Sequence, residues 1–205
     1  MTQVLHMPAS QPASQPASQA ASPSTQLAAS APRYAALEPC VEAQLHLLVA
    51  QAAALQTLDA FVVRLAQLPV PSRLFCTARA TPLAIDTTFC SNEDDLAAEL
   101  LRALAQSTPG TRLYLAGDEA FLWRMHRLAR EAGLEREEIV ATAIGAQRAV
   151  YCVHCASAHV YDDSDEVTCT HCKVRLSVRG HFSERLGAWL GVCADADRPF
   201  AQAHA

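Results

Sequence analysis

From about residue 44 the chain alternates between two hydrophobic rhythms. Short apolar runs of strand length are followed by stretches with helical spacing. Leu45-His46-Leu47-Leu48-Val49-Ala50 reads as a buried strand. Leu58, Phe61, Val62 and Leu65 then fall on one face, which predicts a helix over residues 56–67 with Pro69 marking its end. Arg73 to Thr77 is the next strand, and Ile85 to Cys90 is another. Ser91 is read as the cap of a second helix, whose first turn carries Glu93, Asp94 and Asp95 at the positive end of its dipole. Beyond a turn at Pro109-Gly110, the pattern predicts a strand over Thr111 to Gly117. A helix over residues 119–131 stops at Gly133, and Glu138 to Ile144 is a last strand. Strands separated by helices imply an α/β fold with a parallel sheet covered on both faces.

After Val150 the rhythm changes. Val150-Tyr151-Cys152, Val160-Tyr161, Val167-Thr168 and Lys173 to Val178 are short strand signals around tight turns. Ser183 is read as capping a short amphipathic helix with Leu186, Trp189 and Leu190. So short a segment, with little apolar content, needs a metal to fold. The chemistry is supplied by Cys152-Val153-His154-Cys155 and Cys169-Thr170-His171-Cys172. Two thiolates two residues apart reach one ion from a backbone knuckle. Two knuckles separated by 13 residues close a tetrahedral four-sulfur site.

The expected ligands are therefore Cys152, Cys155, Cys169 and Cys172, in a four-cysteine zinc ribbon with its helix packed behind. Structural zinc is the preferred reading, because four thiolates leave no position open for water or substrate. A single iron, as in rubredoxin, uses the same ligands and would make the module an electron carrier. Rubredoxin knuckles generally place glycine after the second cysteine, where this chain has Ala156 and Lys173. A plant-type two-iron cluster needs a longer first spacing, and disulfide pairing needs oxidation. His154 and His171 sit inside the knuckles and are read as outward-facing or supporting groups. His159 and His181 have no stronger claim to ligation.

Composition narrows the functions. The chain has 205 residues, 51% of them hydrophobic, and a formal net charge of −5, which argues against bulk binding to nucleic acid or anionic membranes. No apolar run reaches the roughly 18 residues that span a bilayer. Met1 to Ser30 has no basic start or apolar core and repeats Pro-Ala-Ser-Gln, so residues 1–33 read as a disordered tail. The α/β domain is assigned to residues 34–147, the ribbon to 148–195 and a second tail to 196–205. Eight cysteines without a secretion signal suggest a reducing cytoplasm. Of the four outside the cluster, Cys40, Cys76, Cys90 and Cys193, none has a neighbouring histidine that would make it a nucleophile. Cys76 and Cys90 read as buried small hydrophobes. Arg175, Arg179 and Arg185 lack the interleaved aromatics of a nucleic-acid face.

Gly117-Asp118-Glu119-Ala120-Phe121-Leu122, then Ala132-Gly133-Leu134-Glu135-Arg136-Glu137-Glu138-Ile139, resembles the end of a ferredoxin reductase pyridine-nucleotide domain. His46 to Thr57 and Arg73 to Arg79 resemble the start of that domain. The resemblance implies a parallel sheet with a dinucleotide crevice, but the matching residues depart from the motif. The glycine-rich phosphate loop is replaced by Gln51-Ala52-Ala53-Ala54-Leu55-Gln56-Thr57, and the Cys-Gly-Pro turn by Ala116-Gly117-Asp118. Neither a catalytic residue nor a cofactor-binding residue is assigned here, and Arg79 is read as a surface arginine. Val150 to Cys155 and Arg179-Gly180-His181-Phe182-Ser183-Glu184-Arg185-Leu186-Gly187-Ala188 resemble the small cysteine-bearing subunit of bacterial dimethylamine monooxygenase. That resemblance implies an accessory subunit of an NADPH-driven oxygenase that converts dimethylamine to methylamine and formaldehyde. Heme, flavin and iron–sulfur groups would then lie on the partner oxygenase and reductase subunits. Trp189, Leu190 and Phe182 are candidate anchors for such partners, or else pack against the ribbon itself.

Overall fold

The computed structural model describes residues 31–78 and 84–195. Arg79, most of the predicted first tail and all of the predicted second tail lie outside these residues.

The first unit is a five-stranded parallel sheet. In chain order its elements are β1 (Leu45–Ala50), α1 (Asp59–Ala66), β2 (Ser72–Cys76), β3 (Asp86–Phe89), α2 (Glu93–Ala105), β4 (Thr111–Gly117), α3 (Glu119–Glu131) and β5 (Ile139–Ala143). The strands lie in the order β3-β2-β1-β4-β5, every neighbouring pair parallel. Successive residues of a strand point to opposite faces, so a doubly covered sheet needs apolar residues at every position. Leu47, Val49, Leu113 and Leu115 pack under α2 and α3, whereas Leu48, Ala50, Tyr114 and Ala116 pack under α1. The predicted helix over 56–67 is in fact a 3-10 turn, Ala52–Thr57, followed by the shorter α1. The cap of α2 is Asn92, one residue beyond Ser91. Its side-chain oxygen accepts from the backbone N–H groups of Asp94 and Asp95, both at 2.9 Å.

The second unit is a separate five-stranded sheet made of β6 (Arg148–Cys152), β7 (Ser157–Tyr161), β8 (Glu166–Thr168), β9 (Arg175–Ser183) and β10 (Ala188–Cys193), in the order β7-β6-β10-β9-β8. The helix expected after Ser183 is a single turn. The N–H of Gly187 donates to the Ser183 carbonyl at 2.8 Å, and φ of +61° at Gly187 then turns the chain out of helical geometry. The residues that follow form β10, which pairs antiparallel with β9 and parallel with β6. Gly191 lets it fit, since a Cβ there would stand 2.8 Å from Val150 and 3.0 Å from Leu176.

A small polar hub joins the units. Glu119, the first residue of α3, accepts from the Tyr34 hydroxyl at 2.7 Å and from the Trp189 indole N–H. The Trp123 indole donates to the same Tyr34 oxygen at 3.0 Å. Around it, Phe182 lies between Trp123, tilted at 43°, and Trp189, edge-on at 73°, at centroid distances of 4.8 and 5.4 Å. The Arg136 guanidinium forks onto both Glu184 carboxylate oxygens. Phe182 and Trp189 thus contact the chain's own first unit as well as the ribbon.

Candidate metal centre

The first knuckle begins at the end of β6 and the second follows β8, two strands that β10 and β9 separate in the small sheet. Each knuckle is a tight turn closed by a backbone bond. The N–H of Ala156 donates to the Cys152 carbonyl at 2.9 Å, and that of Lys173 to the Cys169 carbonyl at 3.0 Å. Ala156 and Lys173 sit at φ of +55° and +62°, the left-handed region that costs a side-chain-bearing residue roughly 1–2 kcal/mol. The knuckles therefore take the conformation glycine favours, without glycine. Missing glycines no longer argue against one metal over another.

The four ligand sulfurs lie within 4.8 Å of one another. Cys152 and Cys172 are 3.8 Å apart, and Cys155 and Cys169 are 3.6 Å apart. A tetrahedron of metal–sulfur bonds of about 2.3 Å has edges of about 3.8 Å, so this arrangement could hold one metal ion. Cys152 and Cys169 are buried and the other two are half-buried. Burial pushes the Cys152 thiol up to about 12. Hydrogen bonds from Ser157 and then His171 hold Cys155 down to about 5. Backbone N–H groups of Cys155 and His154 also favour charge on the Cys152 sulfur.

The four histidines near the cluster divide. His171 hydrogen-bonds the Cys155 sulfur. His159 reaches the site indirectly. Its Nε2 lies 3.0 Å from the Ser157 hydroxyl, which lies 2.9 Å from the Cys155 sulfur. His154 and His181 are exposed. Sequence reasoning missed Ser157 and Tyr161, whose hydroxyl accepts the backbone N–H of Thr170 at 3.1 Å and so steadies the second knuckle. Their only sequence signal is a polar residue just beyond a Cys-x-x-Cys pair. Cys76 and Cys90 are buried apolar-core residues, as expected, and burial raises both thiols.

A five-stranded parallel α/β unit joined to a small sheet that carries a four-cysteine cluster defines the class of this protein. The chain belongs to the dimethylamine monooxygenase subunit DmmA-like family. That family's N-terminal domain matches residues 75–139 and its C-terminal domain residues 149–192. The chain is 42% identical over 172 residues to the heme-dependent oxidative N-demethylase delta subunit of Ectopseudomonas mendocina (strain ymp), covering 83% of this chain and 91% of that one. Two solved structures are more distant. The ferredoxin reductase of carbazole 1,9a-dioxygenase is 18% identical with a TM-score of 0.42, covering 49% of this chain and 35% of its own. Phthalate dioxygenase reductase is 10% identical with a TM-score of 0.41, covering 62% and 47% respectively. The chain thus spans less than half of either reductase, and the fold assignment rests on its own strand order.

Proposed function

We propose that this chain is a non-catalytic accessory subunit of a multi-subunit, NADPH-dependent dimethylamine monooxygenase. In this reading a structural zinc ion holds the ribbon, and the chain mediates assembly of the complex. The family membership supports an oxidative N-demethylation carried out by a complex of subunits. The observation that carries the structural role is the sulfur cluster itself. Four converging ligands complete a tetrahedron and leave no position for an amine or oxygen. Heme, flavin and iron–sulfur groups belong, on this reading, to the oxygenase and reductase partners, and the complex is cytoplasmic. Among the described residues no helix is long and apolar enough to cross a membrane.

The ribbon reaches partners as one body with the α/β unit, because the Glu119 hub and the Trp123–Phe182–Trp189 aromatic cluster fix their relative placement. Co-purification with the neighbouring gene products, followed by metal analysis, tests this. One zinc per chain is expected, with amine-dependent NADPH oxidation that falls when this subunit is left out. Full activity without the subunit would refute the assembly role.

A second reading keeps one specific support. The left-handed knuckles and the N–H groups directed at sulfur also suit a rubredoxin-like iron, which would make the chain an electron carrier. Stoichiometric iron and visible thiolate absorption would establish it, whereas a colourless zinc protein would exclude it.

A further inference from the structure

In open α/β sheets, ligands enter beyond the carboxyl ends of the strands, at the point where the strand order reverses. Here that point lies between β1 and β4. The fold family places a pyridine dinucleotide there, with its pyrophosphate against backbone N–H groups at a glycine-rich helix start. The residues of this chain do not fit that group: a side chain fills its position, and the loop and the local charge add to the misfit.

The position is already filled. Gln51, the residue after β1, lays its amide across the ends of both strands. Its Oε1 accepts the backbone N–H of Asp118 at 2.7 Å. Its Nε2 donates to Glu93 at 2.7 Å and to the Asp118 carboxylate at 2.8 Å. Gly117 provides the room, since a Cβ there would stand 2.6 Å from Gln51 Oε1. In this chain the glycine admits a glutamine rather than a phosphate.

The loop is also the wrong shape. Ala52–Thr57 is a six-residue 3-10 turn, and residues 51–58 contain no left-handed position. Ala54 is fully buried, so its methyl is core rather than phosphate cradle. The next helix, α1, opens with Asp59, an acid where an anion-binding helix would leave its dipole bare.

The charge is inverted as well. Glu93 and Asp118 supply carboxylates where a pyrophosphate would lie. Arg124, which lines the space beside them, is engaged with Glu93 at 3.6 Å and with Asp94. The space remaining outside the plug is an open cleft of about 480 Å³, walled on its far side by His159 and Val160 of the ribbon.

We infer that Gln51 is a built-in plug. Its amide stands in for the pyrophosphate and ties β1, β4 and the start of α2 together, so the crevice does not admit a pyridine dinucleotide. Reducing equivalents must then enter the complex through another chain, a consequence that rests on the subunit reading, whereas the plug itself does not.

The test titrates the full natural chain and two variants with NADPH, following nicotinamide fluorescence and heat. Gln51→Gly combined with Asp118→Asn removes the plug and one charge while keeping a side chain able to cap α3. Gln51→Ala alone is the milder variant, should the double one fail to fold. The natural chain is expected to show no saturation up to millimolar NADPH. A folded variant is expected to bind at least about tenfold more tightly. Saturable micromolar binding by the natural chain would overturn the inference while leaving the assembly role intact. Folded variants that bind no better would show that Gln51 is not what closes the crevice.

Discussion

The two units of this chain solve the same folding problem with different means. The parallel sheet buries sixteen residues on one face and thirteen on the other, among the described residues. The ribbon's buried cluster has five, and two of those, Cys152 and Cys169, are candidate ligands. A core that small offsets little of the ordering of residues 148–195 by apolar burial, and a metal held by the four sulfurs would supply the difference. The first unit holds its fold with no glycine between Gln51 and Leu58. In the second, cysteines make up two of the five clustered buried residues.

The largest effect should follow from removing the metal. A chelator, or Cys169→Ser, is expected to abolish protection from amide exchange over residues 148–195, since structural zinc supplies on the order of 10 kcal/mol in small domains. The α/β unit should remain folded but less stable, having lost its partner at Glu119. Persisting protection in the ribbon would show that apolar packing suffices.

The converse experiment attacks the other unit. Leu47→Ala, at a fully buried position of β1, should cost about 2–5 kcal/mol in denaturant unfolding. Metal content should remain one per chain. Loss of metal alongside stability would mean that the ribbon depends on the sheet.

The joint between them should be weaker than either. Glu119→Gln turns one of the two acceptor oxygens into an amide N–H donor, so either the Tyr34 hydroxyl or the Trp189 indole loses its acceptor, a cost of about 1–3 kcal/mol. Thermal unfolding should then separate into two transitions. A single unshifted transition would show that the aromatic cluster alone holds the units together.

The smallest effect is a pH dependence. Burial, followed by the charges of Arg136 and Arg130, lowers the pKa of His126 below its ordinary 6.5, with Glu184 opposing. A histidine held neutral in the fold contributes stability above that value. The contribution is lost as pH falls from about 6.5 towards the folded pKa, at no more than about 1.4 kcal/mol per pH unit. Buried His46 shifts in the same direction. With metal saturating throughout, the natural chain should lose more stability than His126→Gln between pH 7.5 and 5.5. Equal losses would assign the effect elsewhere.

Local pattern and covalent spacing settled much of this protein. The alternation of apolar runs with helical spacing was enough for the parallel sheet, since burial on both faces demands it. The two Cys-x-x-Cys pairs were enough for the sulfur cluster, since a knuckle is a property of four consecutive residues. Tertiary structure decided what depends on distant partners. Trp189 lies on a strand because Val150 and Phe182 flank it, and no helical periodicity carries that information. Glu119 meets residues 85 and 70 positions away, and Gln51 meets Asp118 across 67. A glutamine after a strand says nothing by itself about what it will touch. Only the juxtaposition of two strand ends turned it into the group that fills the crevice.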